Sequence, residues 1–429
     1  MEITIRAIHN ALGKSATLKG WVYNIRSSGK ITFLQLRDGT GEMQVIAEKS
    51  TLSEKIWKNI HNVTIESAVI VQGKVTKHPK HEQYELQLSD IEIIHAAQEY
   101  PIGKKGHGPD FLLDHRHLWI RSPRQAAILR LRSEIIFILH EFYQKEGFYL
   151  THTPTFTPNA CEGTTDLFSV KYFDTKVYLS QNGQLYLEAL AMALGKVYDM
   201  NPNFRAEKSK TRRHLTEFWT INPEIAFCTL DEALKLQERT IQYVCREILR
   251  RARPELKILE RDTKVLETSA EATYPRMTHR EAVQLLQSLG RKIGDKDDLG
   301  ADDEALLMQQ FETPLFVTHY PREIKPFYME RDPKDSSVVL NNDMLAPEGC
   351  GEIIGGGQRL VDYKALRENI QKAGLKLADF EWYLDLRRYG SVPHYGYGIG
   401  IERLVRWIAG IHHVRETIPF PRMLNRVTP

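Results

Sequence analysis

The chain has 429 residues, 42% hydrophobic and 26% charged, a globular composition with length for two or three domains. Its 58 Lys and Arg almost cancel 55 Asp and Glu, leaving a formal charge of +3. That excludes a histone-like polycation and a disordered acidic tail, so any attraction for nucleic acid must come from local patches. Cys161, Cys228, Cys245 and Cys350 form no CxxC pair, which predicts free thiols in a reducing cytoplasm rather than a zinc ribbon. The first residues, MEITIRAIHN, lack a basic segment followed by a long apolar one, and no window approaches 18 apolar residues. Neither a signal peptide nor a membrane span is expected.

In chain order, residues 1–100 read as β structure. Short β-rich runs at Trp21–Ile25, Ile31–Leu36 and Met43–Ile46 are followed by a short helix over Ser53–Ile60, then by strands within Val63–Val75 and Tyr84–Ile94. Five strands with a helix between the third and fourth is the order of an OB-type barrel. Residues 101–122 are rich in Gly and Pro and read as a linker. From 124 to 146, Ile128, Leu131, Ile135, Leu139 and Phe142 recur at three- and four-residue steps, one stripe of a long amphipathic helix that stops at Gly147. A strand then runs to Pro154. Residues 164–228 read as alternating strands and turns, 231–252 as a second amphipathic helix, and 255–312 as helices and loops with Thr278 as an N-cap. Strands return at 314–318 and 336–345, and Gly396–Gly410 reads as a helix entered through glycines. The pattern predicts an α+β domain over 123–429, with an antiparallel sheet and a helical insertion at about 229–312. No GxGxxG or GxxxxGK[ST] loop is present.

Two stretches carry chemistry. Asn203–Trp219 holds five cations and two carboxylates between apolar ends, with Lys208–Arg212 as the loop of a hairpin. Guanidinium forks bind phosphate oxygens and an aromatic face stacks on a base, although a solvated hairpin would look the same. Gly396–Ile408 places three glycines at two-residue spacing before a helix carrying Glu402 and Arg403. Such glycines let a backbone approach a ligand or, equally, a neighbouring strand.

With Pro154 after the long helix, these stretches resemble the three motifs of class II aminoacyl-tRNA synthetases: the helix 124–146 with its strand, Phe204-Arg205-Ala-Glu207 through His214 and Phe218, and Gly398-Ile-Gly400-Ile-Glu402-Arg403. The barrel, with Arg26, Phe33 and Gln44, and the segment Arg116-His-Leu-Trp-Ile-Arg121 resemble the subgroup serving aspartate, asparagine and lysine. The resemblance implies a cytoplasmic homodimer using ATP, Mg²⁺, an amino acid and a tRNA. It implies that Arg205 and Arg403 carry the chemistry, and that Arg205, Glu207, Arg213, His214, Phe218, Glu352 and Arg403 bind ATP. Asp343 and Glu352 would hold Mg²⁺, while Arg26, Phe33 and Gln44 would meet the anticodon. Among the family's branches the asparaginyl one fits best, with tRNA(Asn) as partner. At Asn182-Gly-Gln-Leu-Tyr-Leu-Glu188, Leu187 stands where aspartyl enzymes carry lysine, and Glu188 follows it. By the same resemblance Glu162 and Gln184 meet the α-ammonium group, Leu187 and Glu188 the amide, and Arg359 the side-chain oxygen, with Glu224 fitting the asparaginyl pattern. The alternatives are an aspartyl enzyme, discriminating or non-discriminating, an amide-forming relative without tRNA work, and a silent RNA-binding paralogue.

Overall fold

The computed structural model describes residues 1–429 other than 79–80, 104, 159–160, 162–165 and 209–210. It divides into two compact units, Met1–Leu113 and Asp114–Pro429.

In the first unit β1 (Ser15–Ser28), β2 (Ile31–Arg37), β3 (Glu42–Glu48), β4 (Ala68–Lys77) and β5 (Tyr84–His95) close into a barrel in the order β1-β2-β3-β5-β4. The helix α1 (Glu54–Ile60) lies between β3 and β4, as the sequence predicts, and Ser53 caps it by accepting from the Ile56 amide. Alternation decides the faces. Leu34, Leu36, Val45, Ala47, Val69, Val71 and Leu86 are buried in the barrel core. Phe33, Gln35, Gln44 and Ile46 are therefore left on the outer face, and β1–β2 pairing sets Arg26 beside Phe33.

The second unit is built on one sheet. Its strands are β6 (Tyr149–Leu150), β7 (Lys196–Phe204), β8 (Glu217–Ala226), β9 (Arg276–Thr278), β10 (Leu315–Thr318), β11 (Asn341–Ala346), β12 (Gly351–Gln358) and β13 (His394–Gly400). They lie in the order β9-β10-β11-β12-β13-β8-β7-β6. The six inner strands are antiparallel, and β6 and β9 each join an edge in parallel. One face is covered by α2 (Pro123–Lys145), α4 (Leu230–Arg251) and α6 (Ile401–Ala409), with α3 (Gln184–Leu194) and α5 (Glu381–Arg388) elsewhere in the unit. Leu131, Ile135 and Leu139 of α2 are fully buried against that face, and each contributes about 1.5–3 kcal/mol of burial.

The structure departs from the sequence reading in four places. Residues 184–194, read among strands and turns, form α3. Gly396–Gly400, read as the entry to a helix, lie inside β13, and the helix begins only at Ile401. Two short helices, Pro109–Asp114 and Arg116–Trp119, occupy the span read as a linker. Arg116 anchors the second of these: its buried guanidinium donates to Gln125 Oε1 at 2.7 Å and to the carbonyls of Ile418 and Pro419 at 2.9 and 2.8 Å. Residues 336–340 precede β11 rather than belonging to it.

Candidate active site

β8 alternates. Ile221 and Ile225 pack under the helices, while Phe218, Thr220, Asn222 and Glu224 point to the opposite face and line a cavity of about 440 Å³. On β13 the residues alternating with the glycines, Tyr395, Tyr397 and Ile399, are buried in the helical core. Gly396, Gly398 and Gly400 therefore turn only backbone to the cavity. Space forbids anything larger: a methyl group at Gly396 would land on the Glu224 carboxylate and the Arg359 guanidinium.

At one end of the cavity Arg359, 3% exposed, donates Nε to Glu224 Oε1 and Nη2 to Glu224 Oε2, both at 2.9 Å. This bidentate fork lies with Leu187 and Gln184 of α3 and with Tyr328, whose ring centre is 5.4 Å from the guanidinium carbon. Burial raises the Glu224 carboxyl pKa against the pull of Arg359, while burial of Arg359 itself is outweighed by Glu224 and Glu188, which keep it charged. Leu187 is fully buried and lines the wall. Glu188, the next residue, does not line it. Successive helix residues point about 100° apart, so both cannot face one ligand. Glu188 instead lies one layer back with Arg387, Tyr383 and His394.

At the other end the hairpin of β7 and β8 brings Arg205, Glu207, Arg213, His214 and Phe218 to one wall, with Arg403 from α6 joining them. The Arg205 guanidinium stands 5.4 Å from the Phe218 ring centre. Arg403 donates to the Glu352 carboxylate at 2.9 Å, and Arg213 pairs with Glu304. Arg403 and Lys325 hold Glu352 down to about 2 against the cost of burial. Burial raises Asp343, with Lys325 at 3.1 Å opposing it. His214 is pushed down to about 4, by burial first and then by Arg403, Arg213 and Arg205. Its ring is neutral at physiological pH. Because the unfolded ring titrates near 6.5 and the folded one near 4, protons favour unfolding between those values. Stability present above pH 6.5 is lost as the pH falls towards 4. In urea titrations wild type should lose stability between pH 7.5 and 5 that His214→Gln keeps; parallel losses would refute this.

Of the residues singled out from sequence, Arg205, Glu207, Arg213, His214, Phe218, Gln184, Leu187, Asp343, Glu352, Arg359 and Arg403 share this cavity. Glu162 lies outside the described residues. Arg26, Phe33 and Gln44 lie on the barrel, where Gln35 donates to Gln44 at 2.9 Å and Gln44 donates to Glu85 at 2.6 Å. Lys325, Tyr328, Glu304 and Arg387 were missed, because no local motif surrounds them. Glu85 was missed too, although a carboxylate in the interior of a β-run was a visible signal.

Comparison with known proteins agrees with this geometry. The family described as tRNA synthetases class II (D, K and N) matches residues 108–424, and an OB-fold nucleic acid binding domain matches residues 16–94. The chain belongs to the class II tRNA synthetases. It is 49% identical to an asparagine–tRNA ligase of Pelotomaculum thermopropionicum, with both chains covered in full. Asparaginyl-tRNA synthetase from Pyrococcus horikoshii complexed with asparaginyl-adenylate has a TM-score of 0.96 at 42% identity, again over 100% of each chain. The Entamoeba histolytica asparaginyl-tRNA synthetase complex has a TM-score of 0.89 at 28% identity and equal coverage. As in other class II synthetases, the reaction uses ATP. Among the described residues no helix is long and apolar enough to cross a membrane.

Proposed function

We infer that this synthetase joins L-asparagine to tRNA(Asn) through an asparaginyl-adenylate, releasing pyrophosphate and then AMP. The observation that carries the choice of amino acid is the Arg359–Glu224 fork beside Leu187. An amide offers an oxygen to the guanidinium and an NH₂ to the carboxylate. A free acid would set its second oxygen against Glu224, and a buried unpaired charge is costly. Full-length similarity to asparagine–tRNA ligases supports the reading.

The substrates bring their own nucleophiles, so the protein orients them and stabilises charge. In the first step the asparagine carboxylate oxygen bonds to the α-phosphorus as the bond to pyrophosphate breaks; in the second the tRNA terminal hydroxyl takes the acyl group and AMP leaves. Arg205 meets the carboxylate and α-phosphate as negative charge gathers between them. Arg403, Arg213 and neutral His214 hold the outer phosphates, Phe218 stacks on adenine, and Glu207 accepts from its amino group. Gln184 and Glu162 meet the α-ammonium group. Asp343 and Glu352 are the residues that would hold Mg²⁺: a methyl group on Gly355 would sit 3.0 Å from Glu352 Oε1 and 3.4 Å from Asp343 Oδ1, so both carboxylates overhang one patch of bare backbone. Hard oxygen donors suit that ion, which neutralises phosphate charge when bound. Exchange of pyrophosphate into ATP, run with each of the twenty amino acids, tests the assignment. Asparagine alone should support it, and equal rates with aspartate would make this an aspartyl or mixed enzyme.

The barrel, residues 1–100, is the tRNA-binding part of this reading, joined through 101–122 to the catalytic part, 123–429. Phe33 on its outer face stacks on an anticodon base, with Gln44 and Arg26 meeting base edge and backbone. Phe33→Ala should reduce aminoacylation by roughly 5- to 150-fold, the ~1–3 kcal/mol of one stacked base. It should leave pyrophosphate exchange nearly intact; equal losses in both assays would make Phe33 a structural residue. A homodimer through α2 and β6 is supported by exposed Phe137, Tyr149 and Leu150 on those elements. Four buried free thiols accord with the reducing cytoplasm.

A further inference from the structure

Behind the Arg359–Glu224 fork lies a second, enclosed layer of charge. Glu188 is fully buried and none of it lines the cavity. Its Oε2 accepts from Arg387 Nη2 at 2.7 Å and faces His394 Nε2 at 2.9 Å. Its Oε1 accepts from Tyr383 at 2.7 Å and from Gln184 at 3.2 Å, and stands 3.8 Å from Arg359 Nε. The Arg387 side chain, on α5, is likewise fully buried. Two carboxylates and two guanidiniums are thus shut away together, and only Arg359 and Glu224 meet the ligand. In so dry a place every charge acts on its neighbours with little screening, including charges that touch no substrate.

We propose that Glu188 and Arg387 are specificity-determining positioning residues that keep Arg359 half-neutralised, so that the cavity accepts an amide and refuses an acid. This rests on the asparagine reading above. Arg359 divides its charge between Glu224 at the wall and Glu188 behind. With Glu188 uncharged, Arg359 would hold surplus positive charge at the ligand and draw in a carboxylate. With Arg387 uncharged, the surplus would be negative and an acid would be refused more strongly. Gln184 links the layer to the ligand directly, because it donates to Glu188 and also lines the cavity.

The test is the ratio of kcat/KM for asparagine to that for aspartate in pyrophosphate exchange by the full chain. Glu188→Gln should lower the ratio by roughly tenfold or more, mainly through a fall in the KM for aspartate, since a single charge in a dry site is worth at least one decade. Arg387→Gln should raise it. The double variant, with the charge count restored, should return towards the wild-type ratio, and Arg387→Lys should keep it. A purely structural layer would depress both amino acids in proportion and show no rescue, which would overturn the proposal, as would an unchanged ratio in Glu188→Gln. Should Glu188→Gln not fold, Arg387→Gln decides alone by the direction of its shift. Wild type preferring aspartate would defeat the asparagine reading itself, a result distinct from any behaviour of the variants.

Discussion

Arg205→Ala is expected to cut asparagine-dependent pyrophosphate exchange by at least ~10²–10³-fold, the loss that follows removal of one transition-state hydrogen-bond donor. The side chain follows directly on the end of β7 and lines the cavity with Phe218 of β8, whose register partner is Asn203. Its guanidinium carbon stands 5.4 Å from the centre of that ring. A cation–π contact of this kind is worth about 0.5–2 kcal/mol. The loss should appear in kcat, with ATP affinity reduced by a much smaller factor. An exchange rate within a few-fold of wild type would remove Arg205 from the chemistry.

Arg359→Lys should be nearly as damaging for a different reason. Lysine keeps the charge and loses the fork. Glu224, 1% exposed, would keep at most one of its two bonds at 2.9 Å, and the bound amide would lose its planar partner. Truncating one side of a buried charged pair costs roughly 2–5 kcal/mol, or roughly 30- to 4,000-fold in kcat/KM for asparagine. ATP binding, at the far end of the cavity, should be unaffected. Calorimetric titration with ATP alone, beside exchange kinetics with asparagine, separates the two; a matched loss of ATP affinity would show that the substitution had damaged the whole site.

Much of this was legible in the chain. The barrel strands showed because Leu34 and Leu36 alternate with Phe33 and Gln35, and α2 and α4 showed because each buries one stripe. The phosphate wall showed because a hairpin keeps Arg205, His214 and Phe218 close in sequence. Helix α3 was hidden because Leu-Tyr-Leu-Glu-Ala-Leu-Ala-Met-Ala-Leu is apolar almost all round and follows a turn-like Asn-Gly, so no period stands out. Strands β12 and β13 were hidden because their glycines argue against β structure, and the demand for empty space at a ligand overrides that propensity. The layer behind the fork was beyond reach in principle, since Arg387 lies 199 residues from Glu188. Nothing local in an amphipathic helix marks one arginine as buried.

The bare backbone under the cavity has an evolutionary corollary. Gly356, Gly396 and Gly398 cannot acquire a side chain without striking Tyr397, Glu224 or Asn222. At those three positions the floor of this pocket resists stepwise mutation. Descendants able to charge a different amino acid would have to be reached by exchanging the residues of α3, β8 and the Arg359 segment, while the ground beneath them stays as it is.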